Sequence, residues 1–577
     1  MQQDQEPEQR SEAKQEVKPA PTAPASRPAA ASAQADGNTP EPAAPQPAPA
    51  APPPFVPKPP LLAACYIGAA VTLSLAQSLG MNLIASNIQQ IQGSIGATVT
   101  ETTWLLAAYM APNVSLSLAL IKIRTQYGLR NFAELSLLGF VIACLLNLFI
   151  SDLQSALVVR FMSGIVAAPI SSLAFLYMLE SFPPEKKLNV GLPMALTTIL
   201  LGPPLARLIS PALFDIGGLH AVTMFELGMA MIAFALVYML PLSPQPRAKV
   251  IEKLDIVSYL LIATGFGSVA IVLVLGRLYW WLEAPWIGML LVLAIACVTA
   301  ASVIELNRKN PLLDIRWLAS PPILHFAGVL LIFRLVLSEQ TLGSSSLFQA
   351  LGLTNDQTRS VYWAILAASI AGGFTCAIAM RHGKEDRIHA VALVLIAVGA
   401  FMDSRATSLT RPEQVYLSQA IIAFAGALIL PPAMKSGLMS ALKKGPNYIL
   451  SFIIVFLTTQ SLGGLLGSAV FTTFVTIREQ FHHNVLVEHI ALTDPLVAQR
   501  VAQLGGAYSR VITDKALLNA EGLQLLSQQA TREANVLAYN DAFLLIAWIA
   551  LAALVLLLAH TAIVALRDRK PALPATA

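Results

Sequence analysis

Residues 542–566 read AFLLIAWIALAALVLLLAHTAIVAL, with Asp541 just before the run and Arg567 just after it. No charge interrupts the run. About 20 apolar residues in a helix cross the hydrocarbon of a bilayer, which is ~30 Å thick. The stretch therefore predicts a membrane-spanning helix. Working back towards the N-terminus, thirteen more runs of this kind alternate with short polar breaks: 61–84, 103–121, 132–150, 156–178, 189–212, 220–242, 256–276, 286–304, 321–342, 360–380, 388–404, 415–439 and 448–474. The composition agrees, with 55% hydrophobic and 12% charged residues. Ordinary soluble domains are about 25% charged. A large soluble enzyme and a disordered chain are excluded for the bulk of the sequence, and the fold class read here is an all-α polytopic membrane protein.

Residues 1–60 are different material, with 16 of the 38 prolines and almost nothing large and apolar. They cannot bury a core and are expected to be disordered and partly polyproline II. They lack the layout of a secretory signal. The four cysteines, Cys65, Cys144, Cys297 and Cys376, each lie in an apolar run without CxxC spacing, so they read as small hydrophobes rather than a disulfide or metal framework.

Lysine and arginine set the orientation. With the N-terminus in the cytoplasm, the inner breaks carry 19 basic residues and the short outer breaks far fewer, Arg277, Arg405 and Arg411, with Arg359 at the edge of a run. Both termini, including the tail 567–577, should be cytoplasmic and the long connection 475–541 periplasmic. Within that connection two leucine stripes, punctuated by Gly505-Gly506 and Gly522, predict an amphipathic hairpin. His482 and His483 are adjacent rather than one turn apart, so no metal site is expected there. No nucleotide-binding loop, cofactor motif or nucleic-acid motif appears, and the chain does not read as an enzyme.

Several local patterns, in order along the chain, resemble the major facilitator superfamily, specifically its fourteen-helix drug:proton antiporters of the EmrB/QacA type. Arg160-Phe161-Met162-Ser163-Gly164 resembles an RxxxG motif, and Gly202-Pro203-Pro204 an antiporter Gly-Pro motif. Leu254-Asp255, and Glu305 followed by Asn310 through Arg316, resemble the flanks of the two extra helices. Gly463-Gly464-Leu465-Leu466-Gly467, Arg478 through His482-His483, and the segment ending Asn540-Asp541-Ala542-Phe543 complete the set. The resemblance implies two six-helix halves, 61–242 and 321–566, with two extra helices in 243–320. It implies a divergent EmrB-like inner-membrane exporter, a small-molecule substrate, protons as coupling ion, and membrane lipid as surroundings. For that subgroup it also implies a tripartite pump, with a periplasmic adaptor protein and an outer-membrane channel as partners.

The departures concern coupling. Where the family carries an aspartate midway along the first helix this chain has Gly80, and Gln89 stands in place of a proline. In the segment after the second helix, Thr125 takes the place of the family's aspartate, and only Gly128 and Arg130 are kept.

Ionisable groups inside spans are costly and are functional candidates by default. Arg207 and Glu226 fall at similar depth on either side of the break at Asp215-Ile216-Gly217-Gly218 and are expected to pair. Arg160 has its motif intact and is a coupling candidate by resemblance. Arg334 and Glu339 lie five apart on one helix and do not face each other. Asp403 sits near an outer helix end. Gly202, Pro203 and Pro204, together with Gly463 and Gly467, are candidates for the bends and close contacts of a rocking mechanism. Three functions stay open on this reading: a proton-coupled exporter of amphipathic compounds, a narrow exporter of an anionic metabolite, and a transport-inactive scaffold or sensor.

Overall fold

The computed structural model describes residues 58–243, 247–308, 311–444 and 447–568. Nearly all of the Pro/Ala-rich segment 1–60, the residues Lys309 and Asn310 of one motif, and the tail beyond Asp568 lie outside the described residues.

The described chain is helical throughout. In order it forms α1 (Pro60–Ala85), the short α2 (Ile88–Ile95), α3 (Val99–Tyr127), α4 (Leu129–Asn147), α5 (Leu153–Glu180), α6 (Leu192–Leu200) and α7 (Gly202–Met239). Then come α8 (Lys253–Leu275), α9 (Pro285–Leu306), α10 (Pro321–Val336), α11 (Arg359–Ala379), α12 (Glu385–Asp403), α13 (Tyr416–Lys444), α14 (Asn447–Glu488), α15 (Pro495–Gly506) and α16 (Lys515–Asp568). Local chemistry starts several of them. Thr98 and Glu101 form a reciprocal capping box on α3, and Asp152 with Ser155 does the same on α5. Pro203 and Pro204 open α7, where a missing N–H is harmless but the preceding helix must end.

Among the described residues, twelve helices are long and apolar enough to cross a membrane. One of these is the 56-residue stretch Pro184–Met239, which breaks at Gly217 and Gly218. Gly218 has φ 59°, a conformation that glycine adopts without strain. The two lengths pack on different neighbours. Leu208 joins Phe348 and Tyr362, whereas Ala230 and Ala233 join residues of α1, α4 and α5. A further helix of crossing length, α12, spans 19 residues and opens with Glu385 and Asp386. Each of the fourteen apolar runs thus coincides with helix.

Two apolar clusters dominate the interior. One gathers Leu73, Leu137, Phe140, Leu173, Tyr177 and Val237 from α1, α4, α5 and α7. The other gathers Phe333, Ile396, Ile429, Phe452, Phe471 and Phe543 from α10, α12, α13, α14 and α16. The pair α8–α9 packs on α3 through Leu118, Ile262 and Ala301. The outer face of α9 leaves Met289, Val292 and Ile295 about 70% exposed. A row of large aliphatic side chains on the outside of a helix is stable only against lipid.

The expected hairpin is present, since α15 and the start of α16 run antiparallel, with Gly505 against Leu518, Gly522 against Val501 and Arg500 Nη2 donating to Gln529 Oε1 at 3.2 Å, but the flanking helices extend into the connection. α14 continues to Glu488, and α16 begins at Lys515, well before the apolar run that starts at 542. Gly505-Gly506 ends α15 as expected, whereas Gly522 lies inside α16. Gly505 and Gly522 meet where the two helices cross. A Cβ on Gly505 would stand 2.3 Å from the Leu518 carbonyl oxygen, and one on Gly522 would stand 2.3 Å from that of Val501. The backbones meet because no side chain separates them. Leu496 and Leu517 stay 74% and 58% exposed, so the leucine stripes are not closed by this pairing. At the base of the extension, Asp541 of α16 accepts hydrogen bonds from Arg478 Nε at 2.6 Å and pairs with His482 Nε2 at 2.7 Å, both on α14.

Candidate functional site

Arg160 stands two turns into α5, behind the Asp152 cap, and is 3% exposed. Its Nη1 donates to the backbone carbonyl of Gly80 on α1 at 3.0 Å. Its Nη2 faces Glu226 Oε1 on α7 at 3.8 Å. That is too long for a direct hydrogen bond, and neither atom has another partner. Asn147 Oδ1 on α4 is also buried and unpartnered. Arg160 and Asn147 border a small, mainly apolar cleft formed with Ile84, Ile91, Leu105 and Thr223. Around Gly80 there is room: a Cβ there would meet nothing within 4 Å. At the position of the missing helix-1 carboxylate, then, the arginine holds backbone, and the carboxylate it faces comes from another helix.

This corrects the pairing expected from the sequence. Arg207 does not meet Glu226. Equal depth fixes height along two helices but not the face each side chain occupies. Arg207 lies on the face of α7 turned to α11, with its guanidinium carbon 5.5 Å from the centroid of Tyr362.

A second polar cluster involves α10, α12 and α13. Glu339 begins a π-helical turn, Glu339–Gly343, just after α10. Such turns are frequent at functional sites. Gln419 on α13 donates from Nε2 to Glu339 Oε1 at 3.0 Å and to Asp403 Oδ2 at 2.7 Å. Ser418 donates to the other oxygen of Asp403. Glu339, Asp403 and Gln419 are all buried. Two carboxyl groups read separately from the sequence thus share one amide. Gln419 and Ser418 escaped the sequence reading. Their only signal was a pair of polar residues at the start of an apolar run.

Arg334 lies elsewhere, mid-way along α10 and its continuation to Ala350. Its side chain runs over Gly463 and Gly464 of α14, and a Cβ on Gly464 would stand 2.3 Å from its Nη2. Gly467 packs on the backbone of Arg334 itself. Gly202 makes a comparable approach, since a Cβ there would stand 1.7 Å from Ser78 Oγ on α1.

The motifs flanking α8 and α9 meet in one ionic cluster. Asp255 takes Lys122 of α3 at 2.8 Å and Arg308 at 2.7 Å. Arg308 also reaches Glu305 and Glu252, each at 2.9 Å. Glu305 accepts the backbone N–H groups of Leu312 and Leu313. Burial works against the charge of Arg308, yet its hydrogen bonds to Asp255, Glu252 and Glu305 hold it above the ordinary arginine range. Among the described residues no group of three or more His, Cys, Asp and Glu could hold a metal ion.

Comparison with known proteins places this architecture. The chain is 24% identical over 505 residues to the multidrug export protein EmrB of Haemophilus influenzae, covering 84% of this chain and 94% of that protein. It is 25% identical over 520 residues to the fatty acid resistance protein FarB of Neisseria gonorrhoeae, with the same coverage. Among solved structures it shares its fold with the human organic anion transporter MFSD10 and with the proton:xylose symporter XylE. Each superposes with a TM-score of 0.50 at 13% identity over 85% of this chain, covering 100% and 95% of those chains respectively. The family model for the Major Facilitator Superfamily matches residues 70–468. The chain belongs to the Major Facilitator Superfamily, as a divergent EmrB-like member.

Proposed function

We propose that this chain, a secondary efflux transporter by its family and relatives, exports small amphipathic compounds in exchange for protons by alternating access. The observation that carries the reading is the arrangement of Arg160 between the Gly80 carbonyl and Glu226. Glu226 is the proton carrier. When Arg160 closes on Glu226, the anion is favoured and the proton leaves. When Arg160 turns to the Gly80 carbonyl, a carboxylate left without a cation in a dry site takes a proton. The two apolar clusters support two six-helix halves, 61–242 and 321–566, that rock against each other, with 243–320 as an inserted pair. The names of the relatives, attached to multidrug export and to fatty acid resistance, support an amphipathic cargo.

In proteoliposomes with an acidic interior, the full chain is expected to accumulate an amphipathic dye, and to do so only while the pH gradient lasts. Accumulation that survives collapse of the gradient would remove proton coupling from the proposal.

The basic asymmetry supports an inner-membrane location with cytoplasmic termini, which places α15 and the start of α16 in the periplasm. The exposed leucines of that extension support a docking role for a periplasmic adaptor, and through it an outer-membrane channel. A cysteine at Ala507 should react with a membrane-impermeant maleimide in right-side-out vesicles and become protected when an adaptor is bound. Reaction only after permeabilisation would reverse the topology. Unchanged reaction with the adaptor bound would place docking elsewhere.

A further inference from the structure

Among the described residues, several buried charges are answered by opposite charges, while the buried acids Glu339 and Asp403 are held by the Gln419 amide. Arg160 faces Glu226, and Arg308 faces Asp255 and Glu305. Arg334 is different. It sits 13 residues along from the start of α10, about 20 Å into a segment that runs on to Ala350. Among the described residues no carboxylate pairs with it, and its Nε is buried without a hydrogen-bond partner. The helices packed on α10 hold nothing to answer it. α13 has no Asp or Glu, α14 has none before Glu479, and α16 has none between Asp541 and Asp568. On the chain that continues α10, Glu339 is engaged by Gln419 instead.

An uncompensated guanidinium at mid-span is expensive, and the surrounding residues hold it in place. Gly463 and Gly464 leave a flat backbone face on α14 on which it lies, and any side chain at 464 would strike Nη2. One turn earlier on the same face, Gln460 Nε2 is a second buried donor without a partner. Arg334 as a whole is half-buried. Leu331, one turn earlier on α10, packs beside it against Gly463. Planar guanidinium donors with an amide one helical turn away suit a carboxylate, sulfonate or phosphate head, and the amphipathic body is that of the export reading above.

We propose that Arg334, with Gln460, is the anion-recognition site for the transported compound, and that the preferred cargo is an anionic amphiphile whose head supplies the missing counter-charge. This deepens the export reading above and rests on it.

The test uses the full chain in proteoliposomes with an acidic interior and two probes of equal tail, decanesulfonate and decyltrimethylammonium. Wild type should accumulate decanesulfonate. Arg334→Met should lower the ratio of decanesulfonate to decyltrimethylammonium transport by about tenfold or more, the cost of a lost charge-assisted contact. Arg334→Lys should retain most decanesulfonate transport. Gly464→Ala, which pushes the guanidinium aside without removing it, should reduce decanesulfonate selectively and keeps the test decisive if Arg334→Met does not insert. Undiminished decanesulfonate transport in Arg334→Met, an equal loss of both probes in a monodisperse protein, or an unchanged probe ratio in Gly464→Ala would each overturn the proposal. Wild type that carries decyltrimethylammonium but not decanesulfonate would overturn it while leaving export intact. Wild type that carries neither would overturn the export reading as well.

Discussion

Replacing Glu226 with Gln is expected to reduce pH-driven export to the level of empty vesicles while the protein still inserts. The substitution keeps volume and a hydrogen-bonding oxygen but removes the exchangeable proton. Removing one member of a buried ion pair outright costs about 3–5 kcal/mol. Here the cost should be smaller, because Arg160 keeps the Gly80 carbonyl at 3.0 Å and a glutamine oxygen can still accept from Nη2. The loss should therefore be kinetic rather than a loss of fold. Export measured with and without the gradient separates the two. A Glu226→Gln protein that responds to the gradient like wild type would make Glu226 a structural partner of Arg160 and shift attention to Glu339 and Asp403.

The same geometry makes a more demanding prediction. Gly80→Asp, placed in the Glu226→Gln protein, should restore gradient-driven export by about tenfold or more over Glu226→Gln alone. Space is available, since a Cβ at Gly80 meets no atom within 4 Å, and Arg160 already touches the carbonyl of that residue. A carboxylate on α1 would then face the same guanidinium from the opposite side. Each tenfold corresponds to about 1.4 kcal/mol, within reach of one buried charge-assisted contact. Gly80→Asn should not rescue, because it cannot carry a proton. Failure of Gly80→Asp in a folded protein, or equal rescue by both variants, would separate Arg160 from the coupling step.

What the sequence disclosed and what it withheld follow from the range of the interactions. The helices were legible because each apolar run is local, and so was the break at Gly217 and Gly218, where only glycine takes the backbone through φ 59°. The flanking motifs were visible as pieces. Their meeting at Asp255, Glu305 and Arg308 was not, because it depends on how α8 and α9 lie against each other and on Lys122 of α3. Arg160 was recognised by its motif and Glu226 by its charge. Their pairing required knowing which faces of α5 and α7 turn together, and depth arithmetic carries no such information. Gln419 was invisible for a related reason: an amide between two acids has no periodicity to betray it. Gly522 looks like a break in one dimension and serves as a contact in three, while Gly505 is both the end of α15 and a contact.

α14 joins two of these observations. The helix runs unbroken from Asn447 to Glu488, carrying the glycine face beneath Arg334 near its middle and the Arg478–Asp541 contact beyond. From residue 474 to its end it projects about 21 Å. A stiff rod of that kind is a lever. A tilt of about 10° at the level of Gly464 would carry its tip sideways by several ångströms. Through Asp541 it would draw the long α16 along with it. The position of that far tip thus becomes a mechanical pointer to what is happening at the middle of the bilayer, readable by any protein that grips it.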